Sequence, residues 1–543
     1  MNKTGIILFL LFLFLFPSCK KTGENPQAQT TSHVHGIIPL PLSVDLADGF
    51  LTIDKNTVLV TNPQFQPAIE VVEKALSEVS NLVISKNNSP VGKTNIIFIA
   101  DNAMDTSAYQ IEISASGITV KSKSNTGAYY AAQSLRQMIW NSTLGQKAES
   151  FTLKRMTIKD QPKYAWRGFH LDVSRHFFTK DYIFKLIDWL AYYKFNELQL
   201  HLTDDQGWRV EIDQFPLLTQ IGAWRTFNNL DSICMDLAKT DINYTIDPRF
   251  IKVENGKKIY GGFYTKQDIR DIVAYASAHF IDVVPEIDMP GHMSAAIRAY
   301  PQLSCVSLAG WGTEFSYPIC PCNPDVMAFS FKVWDEIADL FPSDFVHIGC
   351  DEVEKATWDA SPECQAFMKE NGMKDLNEIQ NYFVKKLQEH LQAKGKTVIA
   401  WDDVIDGNID DKITMMFWRD WVADSPARSA ANGNPIIITD WSRFYLSSNG
   451  TDESLRKLYD YNPANIYPAT VLSKIQGMQG CVWTEEIPSE AVFEQHVFPS
   501  LQALAEVCWA SEKNWYSFQA RMKPHFNYMS SKNIHYRKPG LTN

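Results

Sequence analysis

The spacing of hydrophobic and polar positions changes near residue 160 of the chain. Before it, apolar residues recur at helical intervals in 67–79 and 126–140 and alternate with polar residues in 109–123, which predicts two helices and a hairpin. A short apolar run at 95–100 predicts a buried strand. Strands mixed with helices in this order predict a small α+β domain over residues 37–160.

Beyond residue 160, strand-like apolar runs alternate with helical stretches, which include 180–193, 266–279, 327–341 and 376–394. The predicted strands are 167–173, 197–203, 282–288, 344–351, 397–403, 414–418, 435–441 and 479–485. Eight such units predict a (β/α)8 TIM barrel, which we assign to residues 161–520, with a C-terminal tail over 521–543. A doubly wound open sheet is the alternative, but its usual G-x-G-x-x-G turn does not occur in the sequence.

Polar residues cluster where the predicted strands end. They are Asp172, Asp204, Asp205, Glu286, Asp288, His292, His347, Asp351, Glu352, Asp402, Asp403 and Glu485, together with Trp401, Trp418 and Trp483. Barrel enzymes build their sites from that rim. Carboxylates interspersed with Trp suit a sugar, because its flat apolar faces meet indole rings and its hydroxyls meet charged acceptors.

Carboxylates at such a rim serve either acid–base chemistry or metal ligation. Asp351 and Glu352 follow a buried apolar strand, so desolvation is expected to raise the pKa of one of them; capping of the next helix is the alternative. Asp204, Asp205 and His292 could instead bind a divalent ion, but no H-x-H or H-E-x-x-H pattern accompanies them. We therefore predict no metal and no other cofactor. The polar, aperiodic insertion at 224–260 predicts a long loop beside the site.

Composition narrows the classes of function. The chain has 51 Lys and Arg against 62 Asp and Glu, a formal charge of −11, which argues against a nucleic-acid partner because phosphate binding needs excess Lys and Arg. Of the 15 Trp, only Trp140 precedes residue 164. The chain therefore has a Trp-poor first part and a Trp-rich second part.

The N-terminus predicts export. Lys3 is followed by an eleven-residue apolar run, 6–16, which is too short to span a bilayer and is typical of a signal peptide over residues 1–18. Ser18 before Cys19 is similar to a bacterial lipoprotein processing site, so Cys19 is the predicted lipidation site and 19–36 the tether to a membrane. Ordinary secretion is the alternative. In an oxidising compartment, Cys305 is expected to pair with Cys320 or Cys322.

Four segments of the barrel resemble the glycoside hydrolase family 20 β-N-acetylhexosaminidases. They are Trp-Arg-Gly-Phe-His-Leu-Asp-Val-Ser-Arg-His at 166–176, His-Leu-Thr-Asp-Asp-Gln-Gly-Trp-Arg at 201–209, Pro-Glu-Ile-Asp-Met-Pro-Gly-His at 285–292 and His-Ile-Gly-Cys-Asp-Glu at 347–352. The resemblance implies an exo-acting hydrolase that removes terminal β-linked GlcNAc or GalNAc with retention. The acetamido oxygen of the substrate acts as the nucleophile and forms an oxazolinium ion.

The same resemblance implies roles for individual residues. Glu352 matches the general acid/base, Asp351 the carboxylate that orients the acetamide, and Tyr445 the phenol that binds the acetamide oxygen. The remaining matched positions are Trp401, Trp418 and Trp483 around the N-acetyl group, Arg167 and Glu485 at sugar hydroxyls, and Asp204, His292 and His347 in support of the acid.

One position departs from the family, which usually has Gly where this chain has Cys350. The thiol is expected either to narrow the pocket or, as we favour, to point away from it. Two other hypotheses remain: a metal-dependent barrel hydrolase, and a catalytically silent glycan-binding lipoprotein. The sequence leaves the choice between GlcNAc and GalNAc, the natural glycan and the oligomeric state open.

Overall fold

The structure is a computed structural model that describes residues 35–81, 84–310, 315–448 and 450–540. Its first domain contains a seven-stranded mixed sheet. Across the sheet the strands are Ser43–Ile53, Phe151–Asp160, Tyr109–Ile113, Gly117–Ser122, Thr94–Ala100, Thr57–Val60 and Ser85–Asn87. Pairing is antiparallel among the first four strands and parallel beyond them. The predicted α+β domain is thus confirmed, although four of these strands were not predicted.

Two helices pack against this sheet, Gln66–Val79 and Asn125–Thr143, close to the predicted bounds. The second is buried on nearly every side, including its polar Gln133 and Gln137, because it lies between the sheet and the barrel. The cost of burying the Gln137 amide is offset by two hydrogen bonds, because its Nε2 donates to the carbonyl oxygens of Ile38 and Tyr192, each at 2.8 Å. The first domain is therefore joined to the barrel by buried polar contacts as well as by apolar packing.

Eight parallel strands close the predicted barrel. In order they are Trp166–Asp172, Glu197–His201, Asp282–Glu286, Phe345–His347, Thr397–Trp401, Thr414–Phe417, Ile436–Ile438 and Ile475–Val482. The last pairs with the first, with Gly480 opposite Phe169, which completes the closure. All eight strands overlap the predicted ones, and most end one or two residues earlier because their polar ends turn out of the barrel wall.

The helices that follow these strands form the outer layer. The longer ones are Lys180–Tyr192, Lys266–Ala278, Pro324–Leu340, Pro362–Asn371, Asn377–Ala393, Ser425–Asn432, Asp452–Tyr459, Glu490–Val497 and Ser500–Trp509. The fifth connection is the exception: within the described residues, only the 3-10 turn Asp402–Asp406 lies between the fifth and sixth strands. None of the helices in the described part of the chain is long and apolar enough to cross a bilayer.

The insertion at 224–260 is more ordered than the loop we predicted. It contains the helix Asn229–Leu237 and a three-stranded antiparallel sheet of Trp224–Thr226, Lys257–Gly261 and Ile251–Glu254. Its short strands escaped detection because they are half-exposed and carry little apolar alternation. The insertion does lie beside the barrel mouth, as predicted, where it lines an open cavity of about 790 Å³.

Residues 521–531 of the predicted C-terminal tail belong to a helix, Trp515–Ser531, which crosses the expected boundary at 520. Arg521, fully buried in this helix, donates to both carboxylate oxygens of Glu506 at 2.7 and 2.6 Å and to the carbonyl of Ile37 at 2.9 Å. His525 Nε2 lies 2.9 Å from the carbonyl oxygen of Gly36. The helix therefore fastens the start of the first domain to the barrel.

The structure tests the predictions for the N-terminus only in part, because it describes the chain from residue 35 onward. The predicted signal peptide, Cys19 and the tether up to residue 34 lie outside the described residues. His35 and Gly36, which we assigned to the tether, are instead buried in the folded domain.

Two disulfides are present among the described residues, Cys305–Cys320 and Cys322–Cys364. The first is one of the two predicted pairings. The second was missed because Cys364 lies 42 residues from its partner along the chain.

Candidate active site

A pocket of about 300 Å³ opens at the carboxyl ends of the barrel strands. Its lining includes seven of the predicted residues, namely Asp204, His292, Asp351, Glu352, Trp418, Tyr445 and Trp483, and an eighth, Glu485, at the rim. These side chains follow six different strands of the barrel, which is how a parallel barrel brings distant sequence segments together. The structure thus assembles most of the predicted site in one place.

Asp351 is held in the pocket by a second buried carboxylate, Asp288. Ligand oxygens of the two lie within 4.8 Å of each other, and Asp288 Oδ2 and Asp351 Oδ1 are buried without another partner. A single shared proton satisfies both atoms. Burial and the Asp351 charge raise the pKa of Asp288 well above its usual range. Burial also raises the pKa of Asp351, but less far, because the hydrogen bond from Asp288 lowers it, as does the charge of His292. Asp288 therefore holds the proton and Asp351 is the anion.

The backbone around this pair fits it closely. Gly349 has φ +67°, and a Cβ there would overlap the Asp288 carboxylate, so this position requires glycine. The Cys350 amide donates to Asp288 Oδ1 at 3.0 Å. The next helix begins at Ala356, whose amide donates to Glu354. Helix capping, the alternative role for Asp351 and Glu352, therefore does not apply.

Asp288→Asn is expected to retain activity, whereas Asp288→Ala is expected to lower kcat about 10- to 100-fold. The Asn amide copies the protonated acid, because its oxygen accepts from Cys350 and its nitrogen donates to Asp351. In the Ala variant Asp351 loses its donor, so its pKa rises and the acidic limb of the kcat–pH profile moves to higher pH. Equal losses in both variants, with unmoved profiles, would contradict a protonated Asp288.

A chain of charges leads from the pocket rim to Glu352. Arg175 Nη2 lies 2.7 Å from Asp204 Oδ2, Asp204 Oδ1 lies 3.2 Å from His292 Nδ1, and His292 Nε2 lies 3.5 Å from Glu352 Oε2. Burial alone would raise the pKa of Asp204, but Arg175 and His292 hold it well below its usual range. Burial opposes protonation of His292, but Asp204, Asp205 and Glu352 raise its pKa well above 6.5. His292 is therefore an imidazolium that positions Glu352.

Glu352 itself lies at the mouth, with 31% of its side chain exposed. Its amide donates to Asp403 Oδ1 at 3.3 Å, and Trp418 Nε1 donates to the other oxygen of Asp403 at 2.7 Å. The rise in pKa predicted for one member of the Asp351–Glu352 pair falls on Asp351, the more buried of the two. Because Asp288 holds the proton, Asp351 is nevertheless the anion deep in the pocket, and Glu352 is the second carboxyl, near solvent.

Aromatic rings line the rest of the pocket. Trp418 stacks on Tyr445 at 6.3 Å between ring centroids, and Trp483 lies 6.0 Å from Tyr445 and 5.8 Å from Trp401. Trp401 lies beneath the lining, 1% exposed, and its Nε1 donates to Glu286 Oε1 at 2.8 Å. His347 is buried deeper still, 4.7 Å from the Trp401 ring. It supports the aromatic floor and does not reach the acid.

The prediction for Arg167 is wrong. Arg167 stands at the start of the first strand, and its guanidinium donates to the carbonyls of Tyr164 and Lys194 and to the hydroxyl of Tyr130 in the first domain, at 2.7 to 2.9 Å. Arg175, just past the other end of that strand, lines the pocket instead. Its Nη1 lies 3.3 Å from Asp172 and 3.8 Å from Glu485. Arg175 is therefore the site residue that the sequence analysis missed.

Arg175→Lys is expected to lower kcat/KM about 10- to 100-fold, because an ammonium cannot replace the forked contacts to Asp172, Asp204 and the pocket. Arg167→Lys makes the same chemical change at the opposite end of the same strand. It is expected to lower the midpoint of thermal unfolding and leave kcat/KM within about twofold of wild type, since its contacts are structural. If Arg167→Lys lowered kcat/KM and Arg175→Lys did not, Arg167 would belong to the site after all.

Cys350 points away from the pocket, as we favoured. Its Sγ donates to the carbonyl oxygen of Met289 at 2.8 Å, and the residue is fully buried. Burial raises the pKa of the thiol well above 9.0, so it stays neutral. The residue has φ +76°, a left-handed conformation that explains why glycine is usual here. The substitution therefore leaves the pocket lining unchanged.

Two groups at the site have the ligand types for a cation, Asp204 with Asp205 and His292, and Asp288 with His292 and Asp351. In the first, Arg175 already places a positive charge 2.7 Å from Asp204 and would repel a divalent ion. In the second, the proton on Asp288 occupies the space between the carboxylates. His292, shared by both, already directs its two ring nitrogens at Asp204 and Glu352, at 3.2 and 3.5 Å. The geometry thus favours acid–base chemistry over metal ligation.

Comparison with known proteins agrees with this reading of the site. The profile of "Glycosyl hydrolase family 20, catalytic domain" matches residues 164–512, well over half of the chain, and that of "Glycosyl hydrolase family 20, domain 2" matches residues 34–161. The chain belongs to glycosyl hydrolase family 20. Both family 20 matches agree closely with the division between the α+β domain and the barrel.

Several family 20 relatives are similar over most of this chain. The β-hexosaminidase of Porphyromonas gingivalis is 33% identical over 537 residues, which cover 93% of this chain and 64% of that protein. This chain thus spans somewhat less than two thirds of the Porphyromonas relative. An exo β-N-acetylglucosaminidase from Vibrio harveyi, solved with N-acetylglucosamine, has a TM-score of 0.79 at 30% identity, covering 93% of this chain and 78% of that one. The β-N-acetylhexosaminidase of Bacteroides fragilis has a TM-score of 0.75 at 26% identity, covering 93% and 99%.

Proposed function

We propose that this chain is an exo-acting β-N-acetylhexosaminidase, which releases terminal β-linked GlcNAc or GalNAc with retention of configuration. The observation that carries the proposal is the placement of two carboxyls in one aromatic pocket: Asp351, ionised and oriented by Asp288, lies deep among the rings, and Glu352 stands at the mouth. The names of the family 20 relatives support the same activity.

In the first step the substrate supplies its own nucleophile. Glu352 donates a proton to the glycosidic oxygen while the acetamido oxygen attacks C1, so the C1–O bond to the leaving group breaks as the oxazolinium ring forms. The acetamido nitrogen becomes positively charged, and the fixed Asp351 carboxylate stabilises it. Burial raises the pKa of Tyr445 well above 10, so its phenol remains a donor to the acetamido oxygen.

In the second step the same groups act in reverse. Glu352, now a carboxylate, takes a proton from water as the water oxygen attacks C1 and opens the oxazolinium ring. Two inversions at C1 give net retention. The aromatic floor keeps other water away from the cation, and Arg175 with Glu485 at the rim is placed to bind the hydroxyls of the sugar.

Proton NMR during hydrolysis of N,N′-diacetylchitobiose and of an aryl β-GalNAc glycoside tests the mechanism. The β-anomer of the released sugar is expected first, at a rate unchanged by EDTA, and a substrate with a 2-hydroxyl in place of the acetamide is expected to resist cleavage. Release of the α-anomer, or cleavage of the 2-hydroxyl substrate at a comparable rate, would contradict substrate assistance. Binding of N-acetylglucosamine without product would instead favour a silent glycan-binding protein.

We further propose that the chain is an exported bacterial lipoprotein anchored at Cys19. The apolar run at 6–16 with Ser18 before Cys19 supports this, and the two disulfides fit an oxidising compartment. Wild type expressed with a radiolabelled fatty acid is expected to carry label and to sediment with membranes, and Cys19→Ser to do neither. Cys234→Ser serves as the control, because that thiol is buried in the barrel domain. Unlabelled wild type released in soluble form would favour ordinary secretion.

A further inference from the structure

Two histidines and a glutamate meet inside the barrel, beneath the floor of the pocket. His170, His201 and Glu286 stand on the first three strands, and all three side chains are fully buried. The His170 and His201 rings lie 4.5 and 4.9 Å from the ring of Trp483, which lines the pocket above them. We call these three residues the His–His–Glu group. Because none of the three lines the pocket itself, the substrate does not touch them.

His170 is the member of this group whose hydrogen bonding is incomplete. Neither of its ring nitrogens has a hydrogen-bond partner in the described part of the chain. Its Nε2 lies 3.5 Å from Glu286 Oε2, which is longer than an N–H···O hydrogen bond. A buried imidazole without partners costs free energy, and water or a metal ion typically completes such a group. A proton shared by His201 and Glu286 would satisfy those two residues and leave His170 as it is.

The distances within the group suit a metal ion. His201 Nδ1 lies 2.9 Å from Glu286 Oε2, the same oxygen that His170 Nε2 approaches at 3.5 Å. One ligand atom from each of the three residues lies within 4.8 Å of the other two. Ligands bound at about 2.0 to 2.2 Å around one ion are themselves roughly 2.9 to 3.6 Å apart. Two imidazoles with one carboxylate are also a ligand set that zinc and iron take in proteins.

The contacts of His201 leave one of its ring nitrogens for a metal. The other, Nε2, lies 2.9 Å from Asp204 Oδ2 and donates to that carboxylate. A ligating histidine usually gives its second N–H to a carboxylate in this way, which fixes the tautomer and directs the lone pair at the ion. Asp204 contacts both His201 and Arg175, so a carboxylate offsets the positive charge that opposes a cation at the rim.

A chain of hydrogen bonds fixes the orientation of Glu286. An indole N–H can only donate, so the contact of Trp166 Nε1 at 3.1 Å identifies Gln479 Oε1 as its acceptor. Gln479 Nε2 therefore donates to Gln199 Oε1, and Gln199 Nε2 donates to Glu286 Oε2, each at 2.7 Å. Trp401 Nε1 donates to the other Glu286 oxygen at 2.8 Å. Outer hydrogen bonds of this kind are typical of carboxylates that bind a metal.

We propose that His170, His201 and Glu286 bind one divalent transition-metal ion as a structural centre of the barrel, with water as a further ligand. The ion holds His201 in place, and with it the Asp204 carboxylate that pairs with His292 in the pocket. The sequence analysis expected no metal because nothing in the sequence brings His170 near Glu286. The inference does not rest on the proposed function. It agrees with a rate of hydrolysis that EDTA leaves unchanged, since the three ligands are fully buried.

Metal analysis by mass spectrometry of untagged protein tests the proposal. Wild type from medium with added zinc, dialysed against EDTA while folded, is expected to hold about one zinc ion per chain. His170→Gln is expected to hold less than about a tenth as much, because an amide ligates zinc poorly although it keeps a polar group in place. His525→Gln makes the same change at a buried histidine outside the group and is expected to keep the zinc. Wild type grown with cobalt is expected to show the visible absorption of bound Co²⁺, and His170→Gln to lack it.

The outcomes separate the metal site from the proposed function. Wild type free of transition metal, or a folded His170→Gln with as much zinc as wild type, would overturn the metal site, and cleavage of N,N′-diacetylchitobiose by that protein would leave the hexosaminidase activity intact. Zinc in a wild type that cleaves no substrate would contradict the proposed function and support the metal site. If circular dichroism shows that His170→Gln does not fold, the metal content of wild type decides.

Discussion

Glu352→Gln is expected to lower kcat on N,N′-diacetylchitobiose by about two to four orders of magnitude, which is the usual contribution of a general acid. Gln keeps the size and the hydrogen bonding of Glu352 at the pocket mouth but has no proton to give to the glycosidic oxygen. The loss is expected to shrink strongly for an aryl glycoside whose phenol has a low pKa, because such a leaving group departs without protonation.

The dependence on the leaving group separates an acid from a structural residue. A variant that merely disturbs the pocket would lose the same factor on both substrates. Glu354→Gln makes the same change two residues along the chain, outside the pocket lining, and is expected to behave as wild type. If Glu352→Gln cleaves the disaccharide at the wild-type rate, the assignment of Glu352 is wrong.

Arg521→Met is expected to lower the free energy of unfolding by about 3 to 5 kcal/mol. Both Arg521 and Glu506 are fully buried, and their forked pair spans the C-terminal helix and the last helix of the barrel. Removal of the guanidinium leaves the Glu506 carboxylate buried, and among the described residues its remaining donors are the Tyr459 hydroxyl and the Leu40 amide. That desolvated charge accounts for the large effect.

Chemical denaturation followed by circular dichroism measures the change. The double variant Arg521→Met/Glu506→Gln is expected to recover part of the stability, because the uncompensated charge is gone. Lys239→Met breaks an ion pair with Asp236 that is 74% exposed on both sides, and is expected to cost less than about 1 kcal/mol. A cost for Arg521→Met as small as that of Lys239→Met would show that the buried pair contributes nothing.

The barrel could be predicted because its strands are short apolar runs that end in polar residues. The same reasoning missed four strands of the first domain. There the strand Ser43–Ile53 is mostly exposed and Phe151–Asp160 carries charged residues at several positions, so neither forms an apolar run or a regular alternation. These strands form because each pairs with a neighbour far along the chain, Ser43 with Lys159 for example.

Arg167 and Arg175 show how position within an element decides function. The two lie in one motif, and only the start and end of the strand distinguish them. A seven-residue strand advances about 3.3 Å per residue, so roughly 20 Å separate its two ends. The rule that barrel sites use the carboxyl ends of strands would have selected Arg175 from the sequence alone. Resemblance of the motif drew attention to the wrong arginine.

Other parts of the site had no signal in the sequence. Asp288 stood out as a carboxylate at a strand end, but its role as a proton holder depends on contact with Asp351 across two strands. Trp441 resembles any other tryptophan in the chain until the fold shows that it borders the pocket. Contacts between residues far apart in sequence are what the pattern of a single chain does not encode.

Under the proposed anchoring at Cys19, the attachment of Gly36 beside His525 would place the tether away from the pocket mouth. His525, which contacts Gly36, also contacts the hydroxyl of Tyr193 just past the helix Lys180–Tyr192, at the end of the barrel where the strands begin, opposite the pocket mouth. A chain segment that enters there from a membrane would hold the barrel with its mouth turned outward. Glycans arriving from the surroundings would then meet the pocket directly, and those attached to the same membrane would be harder to reach.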